Sequence, residues 1–313
     1  MISFPQLDAF RGGNGITRVI GHRGARGVMP ENTMEGFKFT IDVGIDALEF
    51  DVILTRDRIP VITHNHYLLG AATREPNGRW ITGEEPKVSR LTLKELQTFD
   101  VGGLDGNTVY GQRFADQVFL NDIRIPRLSE LLDLAASPGM EGVHLLLELK
   151  SDPEAIDDKN ERADVVQHVV DEVRARRLES RTILHSFDWL LLDECRKIAP
   201  DMPTSYLSQL PESSEDPSEE TSITIGPNYK ELTTSLPRAV KEAGGQMWCP
   251  YFEDVTADLV AEAHDLGLLV TTWTANEASD IDKMMDAGVD GIVSDHVGRV
   301  QRCILNRGQR WVP

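Results

Sequence analysis

The chain has 313 residues, 40% of them hydrophobic and 27% charged, the make-up of an ordinary globular protein long enough for one large domain. Its 32 basic residues against 51 acidic ones leave a net charge of −19, which disfavours nucleic acid and anionic membranes as partners and requires concentrated positive charge wherever an anionic substrate binds. Cys195, Cys249 and Cys303 form no CxxC pattern, Met1–Gly15 has no signal-peptide pattern, and no stretch approaches the ~20 apolar residues of a membrane span, so the expectation is a cytoplasmic protein without stable membrane association.

Strand-like apolar runs alternate with amphipathic segments along the chain. Strands are expected near Thr17–His22, Ala47–Leu54, Val143–Lys150, Thr182–Ser186, Thr204–Ser208, Gln246–Cys249, Leu268–Trp273 and Gly291–Ser294. Helical periodicity falls between them, at Thr33–Val43, Ala163–Arg177, Trp189–Ile198, Ser235–Ala243, Ala257–Leu266 and Ala278–Ala287. This succession predicts an α/β protein with a closed (β/α)8 barrel. Two segments break the rhythm. Residues 65–124, with turns at Pro76–Gly78, Gly102–Gly103 and Gly106, are too long for a plain connection and suggest an inserted subdomain over the barrel mouth, within a single domain spanning 1–313. Residues 211–222 are nearly all Pro, Glu, Ser and Asp, the composition of a solvated flexible loop.

The second expected strand carries the strongest chemical signal. Alternate side chains share a face, so Glu49 and Asp51 oppose Leu48, Phe50, Val52 and Leu54. The third expected strand repeats this: Leu145, Leu147 and Leu149 form one row, and Glu148 and Lys150 lie opposite. Both acidic faces sit at C-terminal strand ends, where barrels build their active sites. Three carboxylates at one mouth would suit a hard cation such as Mg²⁺ or Ca²⁺, or equally a salt-bridge cluster with Lys150 and Arg23. His22 ends the first strand beside Arg23, a side chain able to hold a phosphate oxygen in bidentate fashion. His64 follows the extended run Val61–Thr63, and with His66 it also has the spacing of a zinc pair. Two histidines titrating near neutrality suit acid–base cleavage of a phosphodiester. His185, at the end of the fourth strand, could line the pocket. Trp273 is either a rim aromatic or a wall for an apolar part of the substrate. His144, His168, His264 and His296 read as structural or surface residues.

Taken together, Gly21-His22-Arg23-Gly24, Pro30-Glu31-Asn32-Thr33, Glu49-Phe50-Asp51, His64 and Glu148-Leu149-Lys150 resemble the glycerophosphodiester phosphodiesterase family, in that family's order. Trp273-Thr274-Ala275-Asn276 and Gly288–Asp295 resemble its C-terminal signature, so the likeness runs from about Thr17 to His296. The resemblance implies a (β/α)8 barrel with a small insertion after the second strand and a small-molecule glycerophosphodiester as substrate. It also implies a divalent cation, Mg²⁺ or Ca²⁺, on Glu49, Asp51 and Glu148, acid–base catalysis by His22 and His64, and phosphate contacts from Arg23 and Lys150. One departure stands out: the family usually has Asp directly after the second histidine, and here the residue is Asn65, a possible pocket residue. Three other readings stay open: a lysophospholipase D or phospholipase C-like activity on lipids, a non-catalytic phosphodiester-binding protein, and a zinc barrel built on His64 and His66.

Overall fold

The computed structural model describes residues 4–11, 16–155, 157–210 and 227–309. Among the described residues, nine strands form one sheet: β1 (Arg18–His22), β2 (Ala47–Leu54), β3 (Pro60–Ile62), β4 (His144–Leu149), β5 (Thr182–Ser186), β6 (Thr204–Ser208), β7 (Met247–Pro250), β8 (Leu269–Thr272) and β9 (Gly291–Ser294). All neighbours except β3 pair in parallel, and a β1–β2 pairing closes the ring, so eight strands make a (β/α)8 barrel. The extra strand, β3, runs antiparallel on β2.

Helices Met34–Val43, Leu128–Ala135, Lys159–Ala175, Trp189–Ile198, Leu236–Glu242, Ala257–Asp265, Ala278–Ala287 and Val297–Asn306 alternate with the barrel strands. Two of these, Leu128–Ala135 and Val297–Asn306, add to the six that periodicity suggests. Each buries an apolar stripe: Leu128, Leu131, Leu132 and Ala135 in one, and Val297, Val300, Cys303 and Ile304 in the other. No described helix is long and apolar enough to cross a membrane.

Strand alternation sorts the core into two parts. Leu48, Phe50, Val52 and Leu54 of β2, with Leu145, Leu147 and Leu149 of β4, join the large cluster between sheet and helices. Inside the ring, Ile20, Ala47, Leu146, Ile183, Met247, Leu269 and Val293 form a second cluster, closed below by Leu7 and Phe10 of the helix Pro5–Arg11. One step of two residues up each strand turns this interior polar: Ile20 leads to His22, Ala47 to Glu49, Leu146 to Glu148 and Ile183 to His185. The barrel is apolar at its N-terminal end and charged at its C-terminal end.

Between β3 and β4 the chain makes the long excursion of residues 65–124. Leu68, Ile81, Val88 and Leu96 pack there with Ile53, Val61 and Ile125 in a third apolar cluster. The Pro/Glu/Ser/Asp run at 211–222 lies outside the described residues.

Candidate active site

Register assembles the site. In the parallel pairing His22 sits beside Glu49, Asp51 beside Glu148, and Glu148 beside His185. Residues paired across strands face the same side, so these five side chains converge at one mouth. Glu49, Asp51 and Glu148 are buried, with carboxylate oxygens within 4.8 Å of one another. They are the one group of three or more potential metal-ligating side chains among the described residues, so the His64–His66 zinc reading finds no third ligand.

Two cations interleave with the acids. Lys150 Nζ lies 2.9 Å from Asp51 Oδ1 and 2.5 Å from Glu148 Oε1. Arg23 turns back into the site because its backbone is left-handed, with φ 48°. Its amide donates to Glu49 Oε2 (3.0 Å), its Nη1 donates to Glu31 (3.2 Å), and its Nε lies 3.5 Å from Asp51 Oδ2. The tight turn needs Gly21 before it, since a Cβ there would come within 2.4 Å of the Gly24 carbonyl oxygen and 2.5 Å of Thr40 Cγ2. Asn32, also left-handed (φ 53°), donates to Asp51 Oδ2 at 2.9 Å.

These surroundings split the carboxylates. Burial, then the charges of Asp51 and Glu148, push the Glu49 carboxyl well above its usual range. Burial, opposed by Lys150, raises Glu148 to about 7. Burial also acts against ionisation of Asp51, but Lys150, His64 and Arg23 outweigh it and hold that group well below the usual range. The Thr63 amide donates to the Asp51 carbonyl oxygen at 3.0 Å, which brings the adjacent His64 to the edge of the same cluster.

His22 is buried, with Nε2 3.8 Å from Glu49 and Nδ1 2.7 Å from Asp295 Oδ1. Burial lowers the pKa of His22, so its neutral form is favoured. Asp295 is fully buried and held ionised by Arg26 and His22 despite burial. An ionised carboxylate only accepts, so His22 Nδ1 carries the proton and Nε2 presents its lone pair to the mouth. His64 stands after β3, and its Nδ1 lies 2.5 Å from Asn65 Oδ1. Asn65 thus offers the imidazole an acceptor without a negative charge. Both border a cavity of about 50 Å³ shared with Glu31, Asn32 and Thr63.

His185 lies inside the barrel, with Nδ1 2.8 Å from Ser205 Oγ, and burial followed by Lys150 lowers its pKa to about 3. A group so hard to protonate is a poor proton donor at neutral pH. Trp273 donates to the Cys249 carbonyl (3.2 Å) and packs edge-on between Phe187 and Tyr251. Burial lowers the pKa of His66 to about 4.

Sequence reasoning gave no role to Glu31 and Asp295, which it met only inside motifs, and did not single out Arg26 or Tyr110. Asp295 continues the interior alternation of Gly291 and Val293, so strand periodicity holds a signal for it. Arg26 and Tyr110 lie off the barrel strands, and no local pattern marks them.

The profile of the glycerophosphoryl diester phosphodiesterase family matches residues 22–299. A crystal structure from Silicibacter pomeroyi DSS-3, provisionally named as a glycerophosphoryl diester phosphodiesterase, is 57% identical, with a TM-score of 0.92 over 99% of this chain and 100% of the other. A glycerophosphodiester phosphodiesterase of Caldanaerobacter subterraneus subsp. tengcongensis is 26% identical across 89% of this chain and 94% of its own. A human lysophospholipase D is 25% identical, covering 93% and 87% respectively.

Proposed function

The chain belongs to the glycerophosphoryl diester phosphodiesterase family, and on that premise we propose that it hydrolyses small glycerophosphodiesters to an alcohol and glycerol 3-phosphate. The observation that carries the reading is the buried group Glu49, Asp51 and Glu148, flanked by His22, Arg23 and Lys150 at one barrel mouth. Three carboxylates face two cations, which leaves one negative charge over. A divalent cation together with a singly charged diester closes that balance. The donor set is all oxygen, and burial and mutual repulsion raise two of its carboxyls, which fits a hard cation such as Mg²⁺ or Ca²⁺. When bound, that cation would stabilise charge on the phosphoryl oxygens and favour ionisation of the attacking oxygen.

The protein's own groups supply the rest of the chemistry. Arg23 and Lys150 are placed to neutralise the phosphate oxygens as charge builds on them. His22 Nε2, neutral and aimed by Asp295, is placed to accept the proton of the attacking oxygen. His64, steadied by Asn65, is the partner placed to protonate the departing alcohol. The Trp273, Phe187 and Tyr251 rings would wall the alcohol side of the substrate. Residues 65–124 act in this reading as an inserted unit of a single barrel domain, a view supported by their apolar cluster and by Lys87, bound to Asp152 and Glu154 at 2.8 Å each.

A second reading, lysophospholipase D activity, draws on the human relative and on Val109, Val118 and Phe119, which leave an apolar surface exposed on the excursion. One panel separates the two: glycerophosphocholine, glycerophosphoethanolamine and lysophosphatidylcholine, each assayed with Mg²⁺ and with Ca²⁺. Turnover of the water-soluble diesters is expected. Turnover of the lysolipid alone would replace the first reading with the second.

A further inference from the structure

Among the side chains that the excursion after β3 brings to the catalytic end, Tyr110 joins two ion pairs. Tyr110, in the helix Val109–Arg113, is 4% exposed and packs edge-on against Phe114 at 5.2 Å. Its hydroxyl accepts from Arg26 Nη1 at 3.2 Å and donates to Glu31 Oε2. Arg26 is 1% exposed, lies 4.5 Å over the Phe114 ring, and donates to Asp295 from Nε (2.8 Å) and Nη2 (3.2 Å). Asp295 holds His22, and Glu31 accepts from Arg23. The bonds therefore run unbroken from His22 through Asp295, Arg26, Tyr110 and Glu31 to Arg23.

We propose that Tyr110 is a positioning residue: its hydroxyl joins the ion pair that aims His22 to the ion pair that aims Arg23, so the excursion sets the geometry of the mouth. The inference rests on the phosphodiesterase reading. Each pair is an acid and a base with buried or nearly buried members, and such groups are held tightly when every link is made. Tyr110 is a neutral link between the Asp295–Arg26 and Glu31–Arg23 pairs, so removing its hydroxyl breaks that link without removing a charge. A misplacement of the histidine or arginine by a fraction of an ångström is then enough to slow the reaction, since about 1 Å can cost on the order of 100-fold.

The test is Tyr110→Phe, which keeps the ring and its contact with Phe114. Expected is a fall in kcat of about 10-fold with KM held within about two-fold and an unchanged melting temperature. Glu31→Gln should act through the same chain, so the double variant Tyr110→Phe/Glu31→Gln should be no slower than the slower single variant. Gln112→Ala, on the exposed side of the same helix, should match wild type. In the metal-free protein, NMR of the His22 Nδ1 proton should show its signal move in Tyr110→Phe and stay in Gln112→Ala. That measurement needs no turnover, so it tests the coupling even if the chain hydrolyses no glycerophosphodiester, an outcome that would sink the functional reading instead. Unchanged kcat in Tyr110→Phe, or losses that simply multiply in the double variant, would overturn the proposal.

Discussion

Adding a divalent cation to the metal-free protein should release protons, and the number follows from the charges at the mouth. Burial and two neighbouring acids push Glu49 well above its usual range, Glu148 titrates at about 7, and Asp51 is held well below its usual range beside Lys150. At pH 7 Glu148 is then about half-protonated, because a group at its own pKa is half-protonated. A cation binds carboxylates and not carboxylic acids, so uptake should release at least about half a proton per ion at pH 7, more at pH 5.5 and fewer at pH 8. The sign is fixed by direction: the Glu49 and Glu148 shifts are both upward, so raising the pH empties those carboxyls before the ion arrives and strengthens binding. The affinity should therefore climb with pH, more steeply below pH 7 than above it. Calorimetric titration of chelator-stripped protein with Mg²⁺, in buffers of different ionisation enthalpy, gives the proton count directly. Glu49→Gln should lower that count. Tight binding with no proton release from pH 5.5 to 8 would refute the placement of the ion on this triad.

Replacing either candidate acid–base group, in His22→Ala or His64→Ala, should lower kcat by at least ~100-fold while leaving Mg²⁺ affinity within a few-fold. A silent His64→Ala beside an inactive His66→Ala would move the role to the other histidine. Phe10→Ala removes the plug beneath the barrel interior, where the ring is buried and lies edge-on to His144 at 5.8 Å, so it should cost about 3–5 kcal/mol. At roughly 2 °C per kcal/mol for a protein of this size, calorimetry should show the melting temperature fall by about 6–10 °C, and a shift under about 2 °C would contradict the two-part core. If the substrate's own neighbouring hydroxyl is the nucleophile, a 2-deoxy diester should bind and not be cleaved, because the tethered attack that can supply ~7–11 kcal/mol is gone. Turnover of that analogue near the natural rate would point to water instead.

Most of the barrel was legible because each strand states its own face. Leu48, Phe50, Val52 and Leu54 alternate with Glu49 and Asp51, and that period alone separates the helix-packed side from the mouth. The helices Leu128–Ala135 and Val297–Asn306 carry the same kind of signal in short windows, next to a long excursion and near the chain end, where alternation with strands offers no guide. The partners of the site were harder. Arg26 and Asp295 are 269 residues apart and meet only because β9 closes against β1. Tyr110 reaches Arg26 from a five-residue helix that has no periodic pattern of its own. Local periodicity reports which way a side chain points. It says nothing of what closure of the ring brings to it.

The most direct test of the account follows glycerophosphocholine by ³¹P NMR in the presence of the metal-loaded protein. The diester resonance should be replaced by that of glycerol 3-phosphate, with free choline appearing in equal amount. Phosphocholine and glycerol as the products would place the cut on the other side of phosphorus, and an unchanged diester resonance would remove the hydrolytic function itself.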